Sequence, residues 1–303
     1  MERKIGILDF GYYNPDQNNS IELINFTFDY VRRLDNEGFS RYWMAEHYND
    51  FCSWTNPEIL LTVLAGMTES INVGAAGRLI YFNNPFHIAT SFKMISALFP
   101  GRIDLGLARG DVEPHMIKHL LVGSKVSQRA LKTNEKKLLK YLFDHKLYDA
   151  KEQMVPIPPY GGSLPNPWGL GSSVGSALNS INLNTNFSLS LFHENKGIDS
   201  FREIWIKYIE EKHRLNANHL KGNIAIQYTA ISDKKKLKQF SAENKISFND
   251  KSSIRIIGEP RFCEDKLNEY FELFQVEEFI IQDISRDFNQ RSETIESLSN
   301  FIL

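Results

Sequence analysis

The sequence predicts an α/β fold, a (β/α)₈ TIM barrel formed by one domain over residues 1–303, with a shortened insertion after strand seven. First, apolar runs of strand length alternate eight times with segments of helical spacing. Second, such alternation favours parallel strands joined by helices. Third, the chain of 303 residues shows neither a linker nor an internal repeat, and barrels commonly hold this length in one domain. An open doubly wound sheet is the alternative that the same pattern allows.

Four strand–helix units fill the first half of the chain. The first strand, 4–10, runs into a turn ending at Pro15, and Gly38 stops the helix that follows it. Asn56 before Pro57 is typical of a helix start. The four strands are predicted at residues 4–10, 39–46, 70–77 and 102–108, and the helices at 21–37, 57–67, 85–98 and 128–144.

The second half repeats the alternation with more polar connections. Residues 234–238, a lysine-rich run, are predicted to be the solvated face of a helix start. The strands are predicted at residues 167–170, 187–191, 223–230 and 278–283. A helix should begin at Ser172, and others should cover residues 201–213, 263–274 and 293–301.

Composition and charge narrow the class of protein. The chain is 42% hydrophobic and 24% charged, which is typical of a packed globular protein. The net charge of −2 provides no field for holding nucleic acid, so no nucleic-acid partner is expected. Two distant cysteines, Cys52 and Cys263, favour a reducing compartment. No signal peptide and no run of about 18 apolar residues is visible, so we expect a cytoplasmic protein without membrane contact.

Functional side chains of a barrel belong at the carboxyl ends of its strands. The second strand ends in Glu46 and His47, and the fourth runs into Arg109 and Asp111. The third strand carries only small residues over 74–77. Together with Gly106 and Ala108 on the fourth strand, these leave a flat, wide space of the kind that a stacked aromatic ring system needs.

The fifth unit places Trp168-Gly-Leu-Gly171-Ser172-Ser173 between a short strand and a helix. Backbone N–H groups and hydroxyls converge at such a helix start, so a phosphate fits there. Capping of the helix by serine alone is the simpler interpretation. A dinucleotide-binding motif, with Glu194 about 20 residues on, is a weaker alternative because the third glycine is displaced to Gly175.

Several strings resemble the bacterial luciferase-like (LLM class) flavin-dependent oxidoreductases. The resemblance runs from Ile5 to about Tyr228 and continues in IIGEP at 256–260. The strings are WMAEHYN at 43–49, INVGAAG at 71–77, NPFHIA at 84–89, GRIDLGLARG at 101–110 and WGLGSS at 168–173.

The resemblance implies a TIM barrel, usually a homodimer, that binds FMN, or the deazaflavin F420 as the alternative, at the carboxyl end of the barrel. NAD(P)H is the candidate reductant. It implies that Glu46 lies near the isoalloxazine ring, that His47 is the active-site histidine, and that Ala76-Gly77 forms a cis peptide beneath the ring. The implied cofactor-binding residues are Ala75, Ala76, Gly77, Arg109, Gly171, Ser172, Ser173 and Ser176. Ala108 replaces a reactive cysteine of the luciferases, so light emission is not expected.

The short polar segment 231–254 leaves little room for the lid that excludes water in oxygenating relatives. This slightly favours hydride transfer, by a reductase or dehydrogenase, to a small-molecule or peptide substrate such as a dehydroamino acid of a lanthipeptide. An FMN-dependent monooxygenase using O₂ is the first alternative, and a non-enzymatic flavin-binding protein is the second.

Other histidines are weaker candidates. His115 and His119 lie four residues apart, but the segment lacks an HExxH motif and a third ligand, so no metal site is predicted. His193 follows the sixth strand and is a candidate for the substrate side. Arg109 has a simpler interpretation too, an ion pair with a carboxylate on the barrel rim.

Overall fold

Eight parallel strands close into a barrel, and helices cover it from outside. The structure is a computed structural model that describes residues 3–49, 51–110, 119–121, 133–144, 147, 151, 153–154, 156–194, 196–250 and 253–302. The strands are β1 (Lys4–Asp9), β2 (Arg41–Met44), β3 (Asn72–Leu79), β4 (Ile103–Ala108), β5 (Asn166–Gly171), β6 (Asn186–Ser190), β7 (Gly222–Ala230), β8 (Ile256–Gly258) and β9 (Glu278–Gln282).

Pairing between the first and last barrel strands closes the ring. Strands β1 to β7 follow one another around the barrel, β9 pairs with both β7 and β1, and every pairing is parallel. The three-residue β8 pairs with the carboxyl end of β7 only, in a separate sheet. The prediction of a (β/α)₈ barrel is therefore confirmed, and the open doubly wound sheet is wrong.

The helices lie close to the ranges that the apolar spacing predicts, but several begin at a different residue from the predicted one. Residues 128–132 of the predicted fourth helix lie outside the described residues. The closing helix begins earlier than predicted because Asp287 accepts from the N–H of Gln290 and caps it. The helices are α1 (Ser20–Asn36), α2 (Pro57–Gly66), α3 (Pro85–Leu98), α4 (Asn134–Phe143), α5 (Val174–Asn182), α6 (Ile198–Arg214), α7 (Lys234–Asn244), α8 (Pro260–Phe274) and α9 (Phe288–Leu298).

Helix α7 confirms the helix start predicted from the lysine-rich run. Asp233 caps it by accepting from the N–H groups of Lys235 and Lys236. None of the described helices combines the length and the apolar character that crossing a membrane requires.

The lower part of the barrel interior is filled by charged and aromatic side chains. Arg41 pairs with Asp104 at 2.5 Å and with Glu278 at 2.7 Å, which ties β2, β4 and β9 together. The guanidinium also lies over the ring of Trp168, 4.8 Å from its centroid, while the Trp43 indole donates to Asp104. This plug therefore fills the amino end of the barrel interior.

Candidate active site

A cavity of about 490 Å³ lies at the carboxyl ends of the strands. Such a volume is typical of sites for small molecules and cofactors. Two surfaces of different character line it, and they belong to different parts of the ring. We call the first the small-residue wall, formed on β3, β4 and β5 by Ala76, Gly77, Ala108, Leu170 and Gly171. We call the second the aromatic row, formed by His47, Phe10, Phe192 and His193.

The small-residue wall exists because three strands approach one another closely. The Ala76–Gly77 peptide bond is cis, as the resemblance implies. A Cβ at Gly77 would lie 2.4 Å from the Cβ of Ala108, and one at Gly106 would lie 2.7 Å from the Cβ of Ala76. Any side chain at either glycine would push the strands apart. Ala75 is buried in the core between barrel and helices, so its side chain does not reach the cavity.

The aromatic row crosses the mouth of the barrel. His47 follows β2 and His193 follows β6, and these strands lie four places apart in the ring of eight. The His47 ring stacks on Phe10 at 4.4 Å between centroids. Phe10 lies 6.3 Å from Phe192, whose ring lies 4.6 Å from that of His193. The two histidines therefore stand on opposite sides of one cavity.

The environment of His47 favours its neutral form. Desolvation and the nearby His193 lower the pKa of His47, while Glu46 acts in the opposite direction. Its backbone N–H donates to Trp54 O at 3.0 Å. Within the described part of the chain no hydrogen bond holds either ring nitrogen, so both are available to a bound molecule.

Glu46 points away from His47 into a buried network, as alternation along an extended segment predicts. It is 2% exposed. Its carboxylate pairs with Arg78 at 2.8 Å and accepts from the Leu79 N–H at 2.8 Å and from the Tyr48 hydroxyl at 2.7 Å. Sequence reasoning did not assign a role to Arg78 or Tyr48, although Arg78 directly follows the small residues of β3.

The residues predicted to hold a phosphate are brought together beside Gly171, and their polar groups have partners within the protein. Arg109 forms a two-pronged pair with Glu135 of α4, at 2.7 Å for the shortest contact. Ser173 caps α5 in a reciprocal capping box with Ser176. Both interpretations made from sequence for these residues, rim pairing and helix capping, are thus observed.

Ser172, which precedes the cap, donates to Glu194 at 2.5 Å. Glu194 had suggested a dinucleotide-binding motif, but the loop follows the fifth strand of a closed barrel, so that alternative is wrong. Asp111 and His115 lie outside the described residues. His119 is exposed, and no cluster of three or more metal-ligating side chains occurs in the part of the chain that the structure covers.

Ser190 also lines the cavity, although no motif in the sequence marks it as a site residue. It is 6% exposed, and its hydroxyl has no hydrogen-bond partner among the described residues. An unsatisfied buried hydroxyl costs about 1–3 kcal/mol, so a bound molecule that accepts from it would recover that cost.

These features fit a phosphorylated flavin. The small-residue wall leaves space for a ring system in the cavity, and a Cβ at Gly171 would fill the space at its edge, only 2.3 Å from the Ser176 hydroxyl. The first turn of α5 offers N–H donors without intrahelical partners next to that edge.

Known proteins are similar to this chain in sequence. Residues 4–136 match the family model described as luciferase-like monooxygenase. A luciferase-like monooxygenase of Escherichia coli K12 is 30% identical over 54% of this chain and 48% of its own length. The match thus spans about half of that relative.

Two Bacillus subtilis proteins extend the comparison. YceB is 24% identical over 88% of this chain and 89% of its own length. An N-acetyl-S-alkylcysteine monooxygenase is 27% identical over 62% of this chain and 57% of its own length.

Solved structures share the fold over the whole chain. Apo-MsnO8 has a TM-score of 0.79 at 18% identity, with 99% of this chain and 98% of that chain covered. The FMN complex of the oxygenating constituent of 3,6-diketocamphane monooxygenase from Pseudomonas putida has a TM-score of 0.74 at 15% identity, with 100% and 98% covered. An F420-dependent secondary alcohol dehydrogenase has a TM-score of 0.70 at 14% identity, with 98% and 99% covered. The chain is therefore similar to luciferase-like monooxygenases in sequence over residues 4–136, and it shares the barrel fold of these solved structures over its length.

Proposed function

We propose that this protein is a flavin-dependent oxidoreductase that binds its cofactor ring against the small-residue wall and its substrate against the aromatic row. One observation carries the proposal: the wall around cis Ala76–Gly77 and the neutral imidazole of His47 face the same cavity. The bound flavin supplies the redox chemistry. FMN is the proposed cofactor because α5 and Arg109 favour a phosphate, and F420 is the alternative.

Each side chain then has a separate task. His47 takes or returns the proton that accompanies the redox step, since a neutral imidazole has both a donor and an acceptor nitrogen. Phe10 and Phe192 exclude water from the reacting face. Ser190 donates a hydrogen bond into the cavity. Glu46 has a positioning role, because Arg78 compensates its charge and three further donors fix its orientation.

Within this class we propose monooxygenation with O₂ as the reaction. One relative from E. coli and one from B. subtilis carry monooxygenase names. A solved Baeyer-Villiger monooxygenase aligns over 98% of its own length, so the short segment after β7 is compatible with oxygen chemistry in this fold.

Hydride transfer to an organic substrate is the second candidate, including the bulky or peptide substrates considered above. One observation favours it: no described residue after Ala225 in the sequence lines the cavity. The segments after β7 and β9 therefore contribute no described cover to the site.

The half-reactions distinguish these candidates. FMN-loaded protein is reduced without oxygen and then mixed with candidate substrates, N-acetyl-S-benzylcysteine and cyclohexanone first, either with or without O₂, while absorbance follows flavin oxidation. We expect substrate to be oxygenated only when O₂ is added, with ¹⁸O from ¹⁸O₂ found in the product. Anaerobic reoxidation by a substrate would instead support hydride transfer. Tight flavin binding with no turnover in either arm would point to a binding protein.

Replacement of His47 tests its proton role. His47→Ala should lower turnover by about 10²- to 10⁴-fold, the usual contribution of general acid–base catalysis, and leave FMN affinity within about twofold. Turnover and flavin titration are measured together. His219→Ala, which removes an exposed histidine bonded to Asn184, is the control. Full activity of the His47 variant would refute the role.

The lowered pKa of His47 also makes stability depend on pH. Between its folded pKa and the unfolded value of about 6.5, the unfolded chain binds more protons, so stability falls as pH drops through this window. Urea midpoints of the flavin-free protein between pH 5 and 8 should show a steeper loss than those of His47→Gln. Equal slopes would mean that the folded protein does not disfavour the charged imidazole.

We further propose a homodimer that forms through α2 and α3. Four apolar side chains on these neighbouring helices are about half or more exposed, spaced four residues apart on each helix. They are Ile59 at 70%, Val63 at 48%, Met94 at 51% and Leu98 at 58% exposed.

Ile59→Lys should convert the dimer to monomer, because a charge at the centre of an apolar interface is costly to bury. Size-exclusion chromatography with light scattering measures the mass. Ile206→Lys, at an exposed apolar position of α6, should leave the dimer intact. A wild-type protein that is monomeric at micromolar concentration would contradict the proposal.

A further inference from the structure

The loop after β6 carries an ion pair that lies against the start of α5. Lys196 Nζ is 2.5 Å from Glu194 Oε2 and donates to the carbonyl oxygen of Ser172 at 3.0 Å. The other oxygen of Glu194 accepts from the Ser172 hydroxyl at 2.5 Å. One carboxylate therefore engages both a cation and a hydroxyl next to the positive end of a helix.

This arrangement suits an anion. Hydrogen bonds from Lys196 and Ser172 lower the pKa of Glu194. The positive end of α5 favours negative charge in the same place. The hydroxyls of Ser173 and Ser176 take part in the capping box. The hydroxyl of Ser172 instead bonds to the carboxylate of Glu194.

The two ion pairs beside Gly171 differ in how easily they open. Arg109 and Glu135 are 23% and 9% exposed in their side chains, whereas Lys196 and Glu194 are 32% and 41% exposed. Breaking the buried pair would strand Glu135, a carboxylate with little access to water. The exposed pair contributes little to stability, and Glu194 can be solvated when it leaves.

We propose that Glu194 is an internal anion that a flavin phosphate replaces, so that Lys196 and Ser172 bind the phosphate and select phosphorylated over unphosphorylated flavin. This inference rests on the proposed function and adds a cation that the sequence did not suggest. A phosphate monoester carries a charge of about −1.5 to −2 at pH 7, so it competes well with a single carboxylate. Arg109 keeps Glu135 as its partner and contributes to the field of the site.

Binding of FMN and riboflavin, which differ only in the phosphate, tests the proposal without any substrate. Flavin fluorescence is titrated at fixed ionic strength for the wild type and for single variants. Lys196→Gln should weaken FMN binding by about tenfold or more, as loss of a charge-assisted contact does, and should leave riboflavin within twofold. Glu194→Gln should tighten FMN severalfold, because the competing charge is removed, with riboflavin again unchanged.

Matched controls separate this contact from net charge and folding. Lys207→Gln and Glu203→Gln make the same charge changes on the exposed surface of α6 and should leave both affinities unaltered. Lys196→Arg should retain most of the FMN affinity, and far-UV circular dichroism checks the fold of each variant.

Several outcomes overturn the proposal. Equal weakening of FMN and riboflavin by Lys196→Gln would assign the lysine a structural role, and weaker FMN binding in Glu194→Gln would show that the carboxylate supports the phosphate. Normal FMN binding in both variants would remove the pair from the phosphate site and leave the proposed function standing. A wild type that binds neither flavin would overturn the proposed function, and this inference with it.

Discussion

The buried guanidinium of Arg41 is the interaction on which the cavity depends. It joins carboxylates from β4 and β9 across the barrel axis and lies over the Trp168 ring. Because these groups are buried, removing the guanidinium would leave two carboxylates without their cation, at a cost of about 3–5 kcal/mol. The plug fills the amino end of the barrel interior. The side chains above it must then be small wherever a ligand is to fit.

A second buried charge network organises the upper rim. Arg78 lies between Glu46 and Glu58 and ties the end of β2 to the end of β3 and the start of α2. This network fixes the backbone that follows the cis peptide, since the Leu79 N–H donates to the same carboxylate. Glu46, Glu58 and Arg78 therefore hold the shape of the rim. In the cavity, the His47 ring and the Ser190 hydroxyl have no hydrogen-bond partner among the described residues.

Sequence reasoning reached the strands, their closure and the small-residue wall because these depend on local pattern and on strand alternation. It missed β8, whose three residues are too short for any periodic signal. It allowed for a rim carboxylate beside Arg109, but it identified neither Glu135 as that partner nor Glu194 as the partner of Ser172. Glu135 reaches Arg109 across 26 positions of the chain, and Glu194 reaches Ser172 across 22. The first pair joins the end of β4 to the helix α4 that follows it, and the second joins the segments after β5 and β6. No local sequence pattern encodes either contact.

The choice between oxygen chemistry and hydride transfer then depends on water at the mouth of the barrel. Both reactions need a flat wall for the ring and a neutral imidazole opposite it, and the same residues supply both. Oxygen activation also needs water excluded from the reacting face. Phe10 and Phe192 provide apolar cover on one side, because they bridge His47 and His193 across the ring of strands. If a substrate packs against this row, its own apolar surface adds to the cover over the reacting face.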